Sequence, residues 1–224
     1  VALRAAFVAA MSGRQVAVLV PTTLLAEQHF RNFSDRFADW PLRVEVLTRF
    51  KSTKEIKQAL ELVAVGKIDV IIGTHRLLQK DVQFDNLGLV IVDEEQRFGV
   101  RHKEALKALK ANVHLLTLTA TPIPRTLNMA MSGLRQLSII GTPPALRVAV
   151  KTFISAWDDA TLLEAFQREF ARGGQVYFLH NDIEGIEKTT NMLQEMLPNA
   201  RFRFAHGQMP ERILEQTMLD FHKQ

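Results

Sequence analysis

The sequence predicts an α/β fold, a parallel sheet with helices on both faces, and three observations carry that expectation. Short apolar runs of strand length recur along the chain, separated by segments of helical periodicity long enough for right-handed crossovers. Each run in the first two thirds ends in small hydroxyl or charged residues rather than in a hairpin turn: Pro21-Thr22-Thr23, Thr48-Arg49, Gly73-Thr74-His75-Arg76, Asp93-Glu94 and Thr119-Ala120-Thr121. One run, residues 88–92, is apolar throughout, as a strand covered on both faces requires, and it leads into Asp93-Glu94-Glu95-Gln96.

The elements follow in order. The opening segment places Leu3, Phe7, Ala10 and Met11 at helical spacing, and Arg4 interrupts what would otherwise read as a leader peptide. A strand over 15–20 precedes a helix over 22–37 that turns Leu25, Phe30, Phe33 and Phe37 inward. Next come a strand over 42–47, a capped helix over 52–65 and a strand over 68–72, then strands over 89–92 and 113–119. Pro143-Pro144 favours an extended connection, so the expected domain boundary divides 1–144 from 145–224. Beyond it, strands over 148–154, 175–179 and 201–205 alternate with helices over 158–171, 183–197 and 211–221, the start of a second, incomplete α/β unit. Val1 is not an initiator Met and carries no cap, and the last residues carry no helix stop, so both ends read as cut from a longer protein.

Composition narrows the chemistry. The 224 residues are 47% hydrophobic and 23% charged, ordinary for a globular protein, and no apolar run is long enough to span a bilayer. A net charge of +4 permits nucleic-acid contact without demanding it. With no cysteine, disulfides and thiolate metal sites are excluded, and the seven histidines lack the paired spacing of zinc sites.

Two adjacent carboxylates at the carboxyl end of a buried parallel strand suit metal-nucleotide chemistry. The first, Asp93, would hold Mg²⁺ through water, and the second, Glu94, would orient or deprotonate an attacking water. The competing reading is that these acids simply favour the start of the next helical segment. Leu116 to Leu118 leads into a second strand-end cluster, where Pro122 and Pro124 force a turn. Small hydroxyls and free N–H groups at helix starts also suit phosphate oxygens, and Arg49 or Arg76 would add charge-assisted contacts, although Thr22, Thr74 and Thr121 taken singly are as well explained as helix caps.

In order along the chain, residues 18–26 (motif Ia), 72–78 (motif Ib), 92–100 (motif II) and 119–126 (motif III) resemble the superfamily 2 DNA helicases and translocases, most closely the motors of transcription-repair coupling factors. Residues 127–140 and the run Ala205-His206-Gly207-Gln208-Met209 extend the resemblance. It implies a RecA-like, P-loop NTPase fold truncated at both ends. The implied activity is ATP- and Mg²⁺-dependent translocation on double-stranded DNA in a bacterial cytoplasm. RNA polymerase and excision-repair proteins would be partners through regions absent here. Asp93, Glu94 and Gln96 would form the catalytic set, with Gln96 linked to Thr119 and Thr121 for coupling. Pro21, Thr22, Thr23, Gly73, Thr74, His75 and Arg76 would grip the DNA backbone, joined by Arg49, His206 and Gly207. Gln96 stands where several relatives have His. No G-x-x-x-x-G-K-[ST] occurs, so the 224 residues alone are expected not to turn over ATP. Two further readings remain open, a RecG-like fork-remodelling helicase and a non-enzymatic DNA-binding or docking module.

Overall fold

The computed structural model describes residues 1–99, 102, 113–120, 136, 138–142 and 150–222. The chain divides into two compact units, Val1–Leu137 and Ser138–Gln224. Pro143, Pro144 and the lysine-bearing segment 103–110 lie outside the described residues.

In the first unit, five described strands form one parallel sheet in the order β2-β3-β1-β4-β5: β1 (Gln15–Leu19), β2 (Val44–Leu47), β3 (Val70–Gly73), β4 (Leu87–Asp93) and β5 (His114–Leu118). The chain leaves β1 toward one edge of the sheet and β4 toward the other. The crevice between the carboxyl ends of these two neighbours is therefore the place where an open sheet receives a ligand.

Alternation along the strands divides the core into two layers. Val16 and Val18 of β1, with Val70, Ile72, Leu89 and Ile91, face helices α1 (Ala2–Met11) and α2 (Thr23–Phe37). Ala17 and Leu19, with Ile71, Val90 and Val92, face α3 (Thr53–Ala64). Small Ala6 and Ala10 bring α1 close to the sheet, while Ala26, Phe33 and Phe37 form the buried stripe of α2. Burying each such phenylalanine contributes about 1.5–3 kcal/mol. Phe7 closes the seam between α1 and α2, 5.7 Å from the Phe37 ring and edge-on to Trp40 at 4.8 Å.

At the amino end of β1, opposite the ligand crevice, buried Gln15 acts as a polar clip. Its amide nitrogen donates to the Val63 and Ile68 carbonyls at 2.9 and 3.0 Å, and its oxygen accepts from the Asp85 and Asn86 N–H groups at 2.9 and 3.0 Å. One side chain thus ties α3, the start of β3 and the start of β4 to β1, with every strong hydrogen-bonding group satisfied.

The second unit contains α4 (Asp159–Ala171), α5 (Ile186–Met196) and α6 (Glu211–His222). Asp158 caps α4 by accepting from the Thr161 N–H at 2.8 Å. Phe166 is buried and packs against Phe170, Phe178 and Phe202 at about 6 Å. The helices stand where periodicity places them, but the expected strands do not form: the described parts of 148–154, and all of 175–179 and 201–205, make no ladder. Alternating apolar residues supply a face for a sheet but no hydrogen-bonding neighbour. Ile154 and Leu179 stand 97% and 88% exposed, with no covering layer among the described residues.

Candidate functional site

The carboxylate pair sits at the end of β4, and register determines what it meets. Asp93, the last residue of β4, pairs with Leu118, which brings Thr119 beside the turn that follows. Glu94 occupies the left-handed region at φ 53°, ψ 49°, alone among described non-glycine residues in having positive φ, and the chain then enters a short 3-10 turn over Glu95–Arg97. The Glu94 N–H donates to Asp93 Oδ1 at 3.0 Å. The Gln96 carboxamide donates to Glu94 Oε2, and its oxygen accepts from the Thr119 hydroxyl at 3.0 Å. Glu94, Gln96 and Thr119 therefore form one chain of hydrogen bonds from β4 to β5. Thr121 lies outside the described residues.

Asp93 has a second partner that the motif pattern did not reveal. His29 of α2 places Nε2 3.1 Å from Asp93 Oδ2, with both side chains about four-fifths buried. A signal existed: position 29 falls on the inward stripe of α2 beside Ala26 and Phe33, where a polar side chain must find a partner.

The rim after β1 and β3 is more divided. Thr22 caps α2, accepting from the Leu25 N–H at 3.3 Å, so the helix-cap reading applies to it. Thr23 is buried and Pro21 half-buried. Gly73 is closely packed: a β-carbon there would stand 3.0 Å from the Leu47 carbonyl and from Leu77 Cγ, so only glycine fits without displacement. Thr74 precedes the 3-10 turn His75–Leu78 but makes no capping bond through its side chain. His75 is exposed and packs its ring 5.2 Å from that of His102.

Arg76 is engaged by Asp81, with Nη1 donating to Oδ1 at 2.6 Å and Nη2 donating to Oδ2. That two-pronged bond raises the arginine's pKa and lowers the aspartate's. Arg49 is exposed at the turn after β2, where buried Thr48 donates to Glu27 of α2 at 2.9 Å. Neither Glu27 nor Asp81 stood out in the sequence.

His206 and Gly207 belong to the second unit. His206 lies parallel to Phe204 at 6.2 Å, and its buried Nδ1 has no hydrogen-bond partner. Gly207 is exposed, with open space around it.

The donor set fits a nucleotide-bound magnesium ion rather than a metal cage of protein ligands. Among the described residues no group of three or more His, Cys, Asp or Glu could enclose a metal. Magnesium bound to nucleotide needs only one or two carboxylates, with phosphate oxygens and water completing its shell. Asp93, about four-fifths buried at a strand end, meets that requirement.

A family model described as DEAD/DEAH box helicase matches residues 1–130. Over 224 residues the chain is 64% identical to the transcription-repair-coupling factor of Escherichia coli (strain K12), covering 100% of this chain and 20% of that protein. It is 61% identical to the Haemophilus influenzae protein of the same name over 224 residues, 100% of the chain and 20% of the relative. The Staphylococcus aureus (strain USA300) protein of that name is 53% identical over 221 residues, 99% of the chain and 19% of the relative. The chain thus spans about a fifth of the length of these curated relatives. The structure of RecG bound to a three-way DNA junction matches 94% of the chain and 28% of its own, at 32% identity and a TM-score of 0.69. The parallel sheet with helices on both faces is the RecA-like arrangement of these helicases.

Proposed function

Because the chain belongs to the DEAD/DEAH box helicase family, we propose that it is the motor segment of an ATP-dependent translocase on double-stranded DNA. In the complete protein this motor displaces stalled RNA polymerase and couples transcription to excision repair in the bacterial cytoplasm. The observation that carries the proposal is the arrangement at the end of β4, a carboxylate pair whose second member is tied through Gln96 to Thr119, just beyond the next strand. Similarity to transcription-repair-coupling factors along the whole chain supports the biological role.

Magnesium-bound ATP would supply the electrophilic phosphorus and the shielding of its charge. Asp93 would hold the metal, and Glu94 would accept the proton of the attacking water. Gln96 sits between Glu94 and Thr119, so a change in its hydrogen bonds on γ-phosphate loss reaches β5 directly. Pro21, Thr22, Thr23, Arg49, Gly73, Thr74, His75 and Arg76 lie at the strand ends and serve the DNA backbone; His206 and Gly207, in the second unit, are assigned DNA contacts of their own. Contacts of this kind carry no base sequence. The 224 residues contain no phosphate-cradling G-x-x-x-x-G-K-[ST], and by themselves they do not turn over ATP. No helix among the described residues is long and apolar enough to cross a membrane.

The test is Glu94→Gln in the full-length protein. The amide preserves shape without basicity, so ATP binding persists while duplex-stimulated hydrolysis is lost; wild-type turnover would overturn Glu94's role. The likeness to RecG favours one second reading, remodelling of branched DNA. Unwinding of three-way junctions without displacement of polymerase from linear duplex would select it.

A further inference from the structure

We infer that His29 is a positioning residue that fixes the orientation of Asp93 and ties it mechanically to the helix whose start serves DNA. The inference rests on the reading of Asp93 as the magnesium-holding carboxylate.

Both oxygens of Asp93 are engaged. Oδ1 accepts the Glu94 N–H at 3.0 Å, and Oδ2 lies 3.1 Å from His29 Nε2. An ionised carboxylate only accepts, so Nε2 carries the hydrogen and donates. Two donors from different elements set the carboxylate plane, whereas a single donor would leave it free to rotate. The histidine is itself braced, its ring 6.2 Å from buried Phe33 one helical turn further along α2. With both partners about one-fifth exposed, the bond lies in a medium where it is stronger than on an open surface.

The placement adds a mechanical consequence. α2 begins at Thr22 and Thr23, among the residues assigned to DNA, and at about 1.5 Å rise per residue His29 lies roughly 10 Å along it. A helix of that length moves as a body. Displacement of its amino end by duplex DNA therefore shifts the donor on Asp93, and a shift of Asp93 on nucleotide binding pulls on the DNA-facing end. Because β1 and β4 are neighbours, the α2–Asp93 bond spans the crevice at their carboxyl ends.

The test compares His29→Ala, His29→Asn and His29→Gln in the full-length protein, with Asp93→Asn as reference. Glutamine places its amide nitrogen near the position of Nε2, whereas the shorter asparagine cannot reach Asp93. Two quantities are read: the magnesium concentration for half-maximal turnover, and the change in duplex affinity, by fluorescence anisotropy, on adding magnesium and a non-hydrolysable ATP analogue.

For His29→Ala and His29→Asn we expect the magnesium requirement to rise roughly ten- to a hundred-fold, the scale for losing a partner that orients a metal ligand. The nucleotide-dependent change in duplex affinity is lost, while duplex affinity without nucleotide is retained. His29→Gln recovers both readouts. Wild-type magnesium dependence and nucleotide response in His29→Asn would overturn the inference, as would a glutamine variant no better than asparagine. An Asp93→Asn protein with unchanged magnesium dependence would instead remove the reading of Asp93 on which the inference rests.

Discussion

Asp81 grips the guanidinium of Arg76 with both carboxylate oxygens, occupying the fork that the proposed DNA contact would use. A phosphate and a carboxylate present similar oxygen pairs to arginine, so the two compete. Replacing Asp81 by Asn weakens the competitor and is expected to raise duplex affinity several-fold, steepening the log–log salt dependence by about one. Arg76→Ala made in the Asp81→Asn background should remove that gain, lowering the slope again by about one. Anisotropy titrations at several salt concentrations check both. Weaker binding by Asp81→Asn would mean that Asp81 aims Arg76 at DNA rather than withholding it.

The bond between Thr119 and Gln96 predicts coupled behaviour. Thr119→Val and Gln96→Ala each break the same link between β5 and the turn after β4. In the full-length protein each is expected to lower duplex-stimulated ATP turnover about tenfold, and the double variant to be little worse than either single one, because groups acting as a unit are non-additive. Steady-state hydrolysis in a double-mutant cycle measures this, and additive losses would show that the two side chains act separately.

Gln15→Leu should destabilise the first unit by about 3 kcal/mol. Its four hydrogen bonds serve two carbonyls and two N–H groups, and stranding even one such buried group costs about 1–3 kcal/mol. Urea unfolding followed by circular dichroism provides the number. Since Gln15 lies at the amino end of β1, away from the strand-end rim, the folded variant should keep wild-type DNA affinity.

The start of α3 should be sensitive to acid. Ser52 and Glu55 form a reciprocal capping box, and the hydrogen bonds from the Ser52 hydroxyl and then its N–H hold the Glu55 carboxyl below its usual 4.5. A lowered folded pKa means that the contribution is fully present above the unfolded value and disappears as pH falls through the folded one. Ser52→Ala is therefore expected to be less stable than wild type at neutral pH, with the gap narrowing below about pH 4.5. Unfolding midpoints measured from neutral to acid pH would reveal a constant gap if the cap contributed nothing ionic.

The sheet was legible because its strands are continuous apolar runs and its helices carry stripes such as Ala26, Phe33 and Phe37. The position of Asp93, Glu94 and Gln96 at a strand end was legible because they follow such a run directly. Partners distant in sequence were harder to see. His29 meets Asp93 64 residues away, and nothing local announces that the crossover from β1 brings them together. Thr22 illustrates the opposite difficulty, since its pattern suits a phosphate contact and its hydroxyl is spent on its own helix. The missing ladders at 175–179 and 201–205 have a simpler cause: alternation reports which face is apolar, not whether a neighbouring strand exists to pair with.

Glu94 adopts a backbone conformation that costs an ordinary residue about 1 kcal/mol and glycine almost nothing. A collection of variants randomised at position 94 and sorted only for resistance to heat should fill with glycine and asparagine. The same collection, carried in the full-length protein and sorted for ATP turnover, should return glutamate. The two selections pull one codon in opposite directions, so thermal tolerance cannot serve as a proxy for the proposed activity.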